Sequence, residues 1–123
     1  MTIIEAINRT DALKQNLFSQ EQKVNWLSKV ESMIKRLVID THEGGENAAF
    51  TGYDKNTPTE TVLIVPEPYD ELYLRFLEAQ IDYHNREISS YNMSVELFDA
   101  AYQSFADFYN RTHLPKCGKK SFF

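Results

Sequence analysis

Residues 40–46, with the sequence DTHEGGE, bring a histidine and three carboxylates close together and could begin a metal site. The pattern His42-Glu43-x-x-Glu46 differs by one residue type from H-E-x-x-H, in which two histidines on one helix bind zinc. Here the second histidine is absent, and Gly44-Gly45 interrupts the helix where the two ligands would have to face the same way. We therefore predict a helix terminus followed by a polar turn.

Three further side chains could carry chemistry. Asp82 and His84 are two residues apart in a predicted helix, so they face different directions and cannot bind one ion together. We interpret His84 as a buried or interfacial polar contact that fixes helix register. Cys117, the only cysteine, has lysines nearby that favour a thiolate, but it follows the last predicted helix and no histidine is placed beside it.

The sequence thus predicts a protein that is not an enzyme and has no metal or cofactor. A small metal-dependent hydrolase is one alternative, and its ligands would be His42, Glu43, Glu46 and His84.

Four predicted helices position these side chains, and two of them begin with clear signals. Thr2 with Glu5, and Ser19 with Gln22, match the capping-box pattern at a helix start. The second helix, at about 20–40, has a broad apolar stripe of the kind that faces a core. The stripe consists of Trp26, Leu27, Val30, Met33, Ile34, Leu37 and Val38.

The third predicted helix, at about 69–91, carries more apolar side chains than one core-facing stripe requires. One set comprises Tyr69, Leu72, Tyr73, Phe76, Ala79 and Tyr83, and a second set on the flank comprises Leu74, Leu77, Ile81 and Ile88. Either this helix is central within one chain, or the flank meets another subunit. Because four such side chains left in water would forgo roughly 6–12 kcal/mol, something must cover them. We predict that the flank is a subunit interface.

Asn92 ends the third helix in this interpretation, and a fourth helix runs from about 94 to 112. An aromatic ladder at helical spacing is predicted to line the core, and Pro115 stops the helix. The ladder consists of Phe98, Tyr102, Phe105 and Tyr109. Residues 114–123 then form a basic, aromatic tail that we predict to be flexible. Its candidate partner contacts are Lys116, Lys119, Lys120, Phe122 and Phe123.

Residues 48–65 have a different composition from the helices around them. Short runs of β-formers, AAFTGY and TVLIV, flank the polar turn DKNTPTE. This pattern predicts a β-hairpin or an extended arm inserted between the second and third helices. Phe50 and Tyr53 on this insertion are further candidate contacts with another subunit or partner.

Length and composition favour one compact four-helix bundle, a single mainly α domain at 1–113 followed by the tail at 114–123. The chain has 123 residues, of which 42% are apolar and 13% aromatic, and no apolar run long enough to span a membrane. The high aromatic content favours interfaces. The net charge is −5, and the lysine-rich tail leaves the rest of the chain more acidic. An acidic body disfavours wrapping of nucleic acid but is compatible with DNA that slides past it.

Four long segments resemble a family of small proteins encoded in the structural modules of tailed phages and prophages of Gram-positive bacteria. The segments are MTIIEAINRTDALKQN, EQKVNWLS, PYDELYLRFLEAQIDYHN and AAYQSFADFYNRTHLP. They are similar to the head–tail connector, or adaptor, proteins. The resemblance extends over nearly the whole chain and is strongest at 68–82 and 100–115.

This resemblance implies a mostly helical subunit of a homo-oligomeric ring that lies beneath the portal and matches its twelvefold symmetry. The ring would extend the DNA channel at the virion neck, let the genome pass without sequence-specific binding, and link the portal to the next neck or tail-completion protein. Assembly would take place in the host cytoplasm, and residues 114–123 would dock into a neighbouring ring. A prophage-encoded regulatory module that binds another protein is the alternative.

Overall fold

The computed structural model describes residues 1–42 and 50–113. In this part of the chain four α-helices pack together: α1 (Ile3–Leu13), α2 (Gln20–Ile34), α3 (Glu71–His84) and α4 (Ile88–Thr112). A π-helical turn, Lys35–Ile39, continues α2. The prediction of a mainly helical, compactly packed chain is confirmed.

Two groups of sequence predictions fall outside these described residues. They are the possible metal ligands Glu43 and Glu46, and the tail residues Lys116, Cys117, Lys119, Lys120, Phe122 and Phe123.

Both predicted capping boxes begin helices. Thr2 accepts a hydrogen bond from the Glu5 backbone N–H at 3.3 Å, and the Glu5 carboxylate accepts one from the Thr2 N–H at 2.9 Å. Ser19 and Gln22 form the same reciprocal pair at 3.2 and 3.0 Å. Because each box satisfies two backbone N–H groups that a helix leaves unpaired, the starts of α1 and α2 are fixed locally by sequence.

The α3 helix is the centre of the bundle, and it packs against α1, α2 and α4. Leu77 and Ile81 are fully buried, and Leu74 is only 8% exposed. Of the two alternatives that the sequence left open for this helix, the central position within one chain is therefore the one observed. Three of the four flank residues chosen as a subunit interface are already covered by their own chain.

The turn between α3 and α4 comes earlier than the sequence suggested. Asn85 and Arg86 follow α3, and Arg86 has a left-handed backbone with φ of 60°. Ile88 is consequently the first residue of α4 and is 72% exposed, while Asn92 lies inside that helix. The predicted boundary at Asn92 was wrong because the helix is broken by an arginine in the conformation usually taken by glycine.

The sequence predicted a β-hairpin or an extended arm at 48–65, and the hairpin is not supported by the described part, residues 50–65. Residues 50–65 contain no strand, only an isolated antiparallel bridge between Thr2 and Val62. Its internal backbone bonds are short turns, such as that from the Thr57 N–H to the Asp54 carbonyl at 3.1 Å. Its longer-range backbone bonds go to the N-terminal residues, and the Leu63 N–H donates to the Met1 carbonyl at 2.9 Å. Leu63 and Val65 are both buried. Its apolar residues are buried against helices rather than in a sheet, and the local pattern does not distinguish the two.

The α4 helix is the outermost element, and it packs against α3 and the π-helical turn. Of its side chains, only Ser94 and Phe105 are buried, while others of its core-facing residues are half-buried. No helix in the described ranges combines the length and apolar character needed to cross a lipid bilayer.

Candidate functional site

The end of the bundle formed by residues 14–19 and 85–88 is referred to here as the loop end. A buried carboxylate ties it together. Asp82, which is fully buried, receives Lys14 Nζ at 2.6 Å and the Ser94 hydroxyl at 2.8 Å. These contacts join the end of α1, the end of α3 and the start of α4. The backbone at the loop end is thus held by a charged hydrogen-bond network in a low-dielectric setting.

Aromatic rings form a continuous layer beside this carboxylate. Phe18 packs edge-on against Trp26 with ring centroids 5.4 Å apart, and His84 lies 5.8 Å from Phe18 and 5.2 Å from Trp26. Tyr83 extends the layer from His84 to Tyr91, at 5.3 and 5.6 Å. Such contacts add specific geometry to apolar burial, so the layer fixes the relative positions of the α1–α2 loop and the α3–α4 turn.

Large apolar side chains remain exposed around this layer. Those at the loop end are Leu13, Leu17, Tyr83 and Ile88. Two of them, Tyr83 and Ile88, line a cleft of about 430 Å³. Its other lining residues are Asp82, His84, Arg86, Glu87 and Tyr91. A second hollow lies beside Asp11, Gln15, Asn16 and Leu17. Exposed apolar patches rimmed by polar groups are typical of protein contacts, so the loop end is a candidate interaction surface.

His84 belongs to this surface and is exposed rather than buried. Its Nδ1 lies 2.9 Å from the Gln80 carbonyl oxygen, one helical turn earlier. Its ring packs on Phe18, Trp26 and Tyr83. The contact with Trp26 joins α2 to α3, and the predicted role of His84 in fixing helix register stays a prediction.

His42 lies elsewhere and is buried between the end of α2 and α4. Its Nδ1 donates to the Val38 carbonyl at 2.6 Å, and its Nε2 lies 2.6 Å from Asn110 Oδ1. Tyr109 packs edge-on against the ring at 4.9 Å. His42 therefore ties two helices, and among residues 1–42 and 50–113 no cluster of three His, Cys, Asp or Glu side chains could hold a metal ion.

Replacement of His42 by Leu is expected to lower the free energy of unfolding by about 1–3 kcal/mol, because it removes the hydrogen bonds of the ring to the Val38 carbonyl and to Asn110. Urea denaturation measures this loss, and addition of zinc should leave the midpoint of wild-type protein unchanged. The matched control is His84→Leu at an exposed position, which should cost less. A zinc-dependent rise in stability that His42→Leu abolishes would instead support the metal site.

Glu31 carries a second buried carboxylate, and no cation contacts it among the described residues. It accepts hydrogen bonds from Tyr73 at 2.5 Å, from Tyr53 at 2.8 Å and from the Ile64 N–H at 2.9 Å. Burial raises the pKa of Glu31, while these three donors act in the opposite direction. Burial and the charge of Glu31 raise the pKa of both tyrosines. Two of the three donors, Tyr53 and Ile64, belong to residues 50–65. The buried Glu31 carboxylate therefore anchors this segment to α2.

The predicted contacts Phe50 and Tyr53 are part of this anchor. The two rings pack edge-on with centroids 4.9 Å apart. The Tyr53 N–H also donates a hydrogen bond to the Ser28 hydroxyl at 3.0 Å, which ties Tyr53 to α2. Both residues are half-buried. The structure brings them together with each other and with α2, but not with Ile88 at the loop end.

Two of the residues that matter here, Leu17 and Glu31, were not predicted from the sequence. Leu17 precedes Phe18 in an otherwise polar linker, and an apolar pair in such a linker is a signal that could have been used. Glu31 lies four residues after Leu27 and three before Ile34, which places a carboxylate on the core-facing stripe of α2. A charge at that position indicates a buried partner.

The loop end combines exposed apolar side chains with a cleft of about 430 Å³, which makes it a candidate interaction surface. Comparison of the chain with known protein families, with curated proteins and with solved structures gave no significant match.

Proposed function

We propose that the protein is a structural subunit of a tailed-phage neck, a head–tail connector that forms a ring below the portal, extends the DNA channel and links head to tail. The proposal assigns it no catalytic residue. This proposal starts from the resemblance of the four sequence segments described above to connector proteins. The partners of the protein would be further copies of itself, the portal, and the next neck or tail-completion protein.

The observation that carries the proposal is the exposed apolar surface at the loop end. The core is buried within one chain, yet Leu13, Leu17, Tyr83 and Ile88 remain in water. Lys14 and Asp82 hold the backbone beneath this surface in a fixed geometry. An ordered apolar surface on an otherwise complete domain gains free energy when it contacts another protein, as a subunit of an assembly does.

The charge of the chain supports the same function. The net charge of the whole chain is −5, and this total includes the positive lysines of residues 114–123. The helical body without them is therefore more acidic than the chain as a whole. A ring of such bodies repels the phosphate backbone, which suits a channel through which DNA moves without being held. The same charge argues against a protein that functions by binding nucleic acid.

Deletion of the gene from the phage or prophage that encodes it tests the proposal. We expect induced cells to accumulate filled or leaking heads without tails, because the ring that receives the tail is missing. Negative-stain electron microscopy of the lysate measures this, and a plasmid copy of the wild-type gene should restore tailed particles. Mass spectrometry should detect the protein in purified virions.

Two other outcomes would contradict the connector function. Normal tailed particles from the deletion strain would show that the protein is dispensable for joining head and tail. A changed level of phage transcripts, with normal particles and no protein in the virion, would favour the regulatory alternative. Electron microscopy of the purified protein mixed with portal rings provides a direct second test, since a connector should add density below the portal.

A further inference from the structure

We propose that α4 is an exchangeable helix. The turn between α3 and α4 straightens in two copies of the chain, and the α4 helix of each copy then packs on α3 of the other. The hinge is residues 85–87, which follow α3 and precede α4. This exchange goes beyond the connector function and does not require it, because the hinge and the contacts of α4 are sufficient for it.

The hinge has a backbone conformation that its central residue disfavours. It closes with the two hydrogen bonds of a Schellman motif. The Glu87 N–H donates to the Asp82 carbonyl at 3.0 Å, and the Arg86 N–H donates to the Tyr83 carbonyl at 3.1 Å. The left-handed position of this motif usually holds glycine, which has no Cβ to clash with the following carbonyl. Here it holds Arg86, with φ of 60°. The closed turn therefore has a steric cost that a helical backbone at Arg86 would not have.

The sequence through the hinge is compatible with one continuous helix. No glycine or proline occurs between Tyr69 and Leu114, so no residue type forces a break at the hinge. Helical periodicity of apolar residues also continues across the hinge, which is why the sequence predicts a helix at about 69–91. Straightening therefore requires only that residues 85–87 change from a turn to helical backbone angles.

The contacts that hold α4 on α3 can be made equally by the α4 helix of a second copy. The Ser94 hydroxyl donates to Asp82 at 2.8 Å, and the ring of Phe98 lies 5.4 Å from that of Phe76. Phe105, further along α4, is buried in the core. When a chain straightens at its hinge, the face of α3 that these residues covered is exposed to water. An identical helix from a second copy covers it with the same side chains, so a second copy is the occupant.

A straight hinge prevents a chain from using its own α4, so the exchange is reciprocal. Ser94 follows Asp82 by 12 residues, which separates them by about 18 Å along a continuous helix. Two copies related by a two-fold axis therefore restore every contact of α4. The two hinges then lie side by side near this axis. Tyr83 and Ile88, which flank the hinge and are 61% and 72% exposed in the closed chain, are brought close to those of the other copy.

Two substitutions of Arg86 test the hinge, and they are matched because both remove the same exposed side chain and charge. Glycine adopts φ of 60° without steric cost and is a poor helix former, so Arg86→Gly should favour the closed chain. Alanine keeps the Cβ and is the best helix former, so Arg86→Ala should favour the exchanged dimer. Since each hinge should contribute about tenfold, the dimerisation constants of the two variants should differ about a hundredfold. Size-exclusion chromatography with light scattering, after refolding from urea over a range of concentrations, measures this difference.

Disulfide cross-linking shows whether α4 is the part that is exchanged. In a background of Arg86→Ala and Cys117→Ser, one protein carries Phe76→Cys and another carries Phe98→Cys. When the two are refolded together at high concentration and oxidised, we expect a disulfide between chains, because these positions face each other across α3 and α4. The same two proteins, folded separately and then mixed, should not be linked. A chain that carries both cysteines and is refolded at high dilution is the control for geometry, since it should form the disulfide within one chain.

Three outcomes would overturn the proposal. They are equal dimerisation constants for Arg86→Gly and Arg86→Ala, monomers from both variants at every concentration, and a dimer in which positions 76 and 98 of different chains are not linked. Both variants should retain the helical circular dichroism of wild type, because Arg86 is exposed. None of these outcomes bears on the connector function, which the gene deletion described above decides separately.

Discussion

Replacement of Lys14 by Met is expected to lower the free energy of unfolding by about 3–5 kcal/mol, as removal of one partner from a buried ion pair does. Asp82 is fully buried and receives Lys14 at 2.6 Å, so the variant leaves a carboxylate in the interior with Ser94 as its remaining side-chain donor. The methionine keeps most of the apolar stem of lysine, so the loss reports the charge rather than the packing. Urea denaturation followed by circular dichroism measures it.

The control for this variant is Arg9→Met, which removes an ion pair at the surface. Arg9 and Glu5 lie 4.0 Å apart, and both side chains are about half exposed, so the expected loss is below about 1 kcal/mol. Adding Asp82→Asn to Lys14→Met should recover much of the stability, because the buried charge is then gone. A loss for Lys14→Met no larger than that for Arg9→Met would mean that the pair does not hold the loop end together.

Replacement of Glu31 by Gln is expected to remove a pH-dependent loss of stability from the protein. Burial raises the pKa of Glu31 in the folded chain above its ordinary value of 4.5, so the folded state binds more protons than the unfolded state between those two values. Stability from this group is therefore complete below about pH 4.5 and declines as the pH rises through the folded pKa. Each unit of difference corresponds to about 1.4 kcal/mol.

The measurement is the free energy of unfolding of wild type and Glu31→Gln across this pH range. The difference, variant minus wild type, should grow more positive as pH rises and then level off. Tyr73→Phe should have the opposite effect, because it removes the 2.5 Å hydrogen bond that acts to lower the pKa of Glu31. It also leaves the Val65 N–H without the acceptor it has at 2.9 Å. A difference that does not change with pH would show that the carboxyl group has an ordinary pKa in the folded protein.

The parts of the fold that were predictable from sequence are those determined by neighbouring residues. Thr2 with Glu5, and Ser19 with Gln22, identify two helix starts because each pair is complete within four residues. The apolar stripe of α2 follows from helical periodicity, and its members Leu27 and Val30 are buried.

The parts that were not predictable depend on contacts between distant residues. Leu77 and Ile81 are covered because α1, α2 and α4 surround α3, which periodicity in α3 alone cannot distinguish from coverage by a second subunit. The segment around Ile64 is fixed by Glu31, which lies 33 residues away in the chain. No local pattern distinguishes such an anchored segment from a β-hairpin, so the wrong prediction there has a tertiary cause.

The candidate site was predictable only in part, for a similar reason. Ile88 was chosen as one of four apolar residues on the flank of the third predicted helix, and it is the one that is exposed, although at the start of α4 rather than within α3. Leu17 becomes conspicuous only once Asn16 is seen to hold its loop and Phe18 is seen to turn inward. Surface features that depend on which of two adjacent apolar residues is buried cannot be read from composition.

The π-helical turn Lys35–Ile39 determines the direction in which the side chains that follow it point. The Asp40 N–H bonds to the carbonyl of Lys35, five residues earlier, so this turn accommodates one more residue than an α-helical turn. If the same residues formed a regular α-helical turn, everything after them would be rotated by about 100°. His42 would then face away from Asn110 although no residue had been altered. The contact between the end of α2 and α4 therefore depends on the extra residue in this turn, and a single-residue deletion within the turn, which lets it close as an α-helical turn, should be tolerated better than a deletion elsewhere in α2.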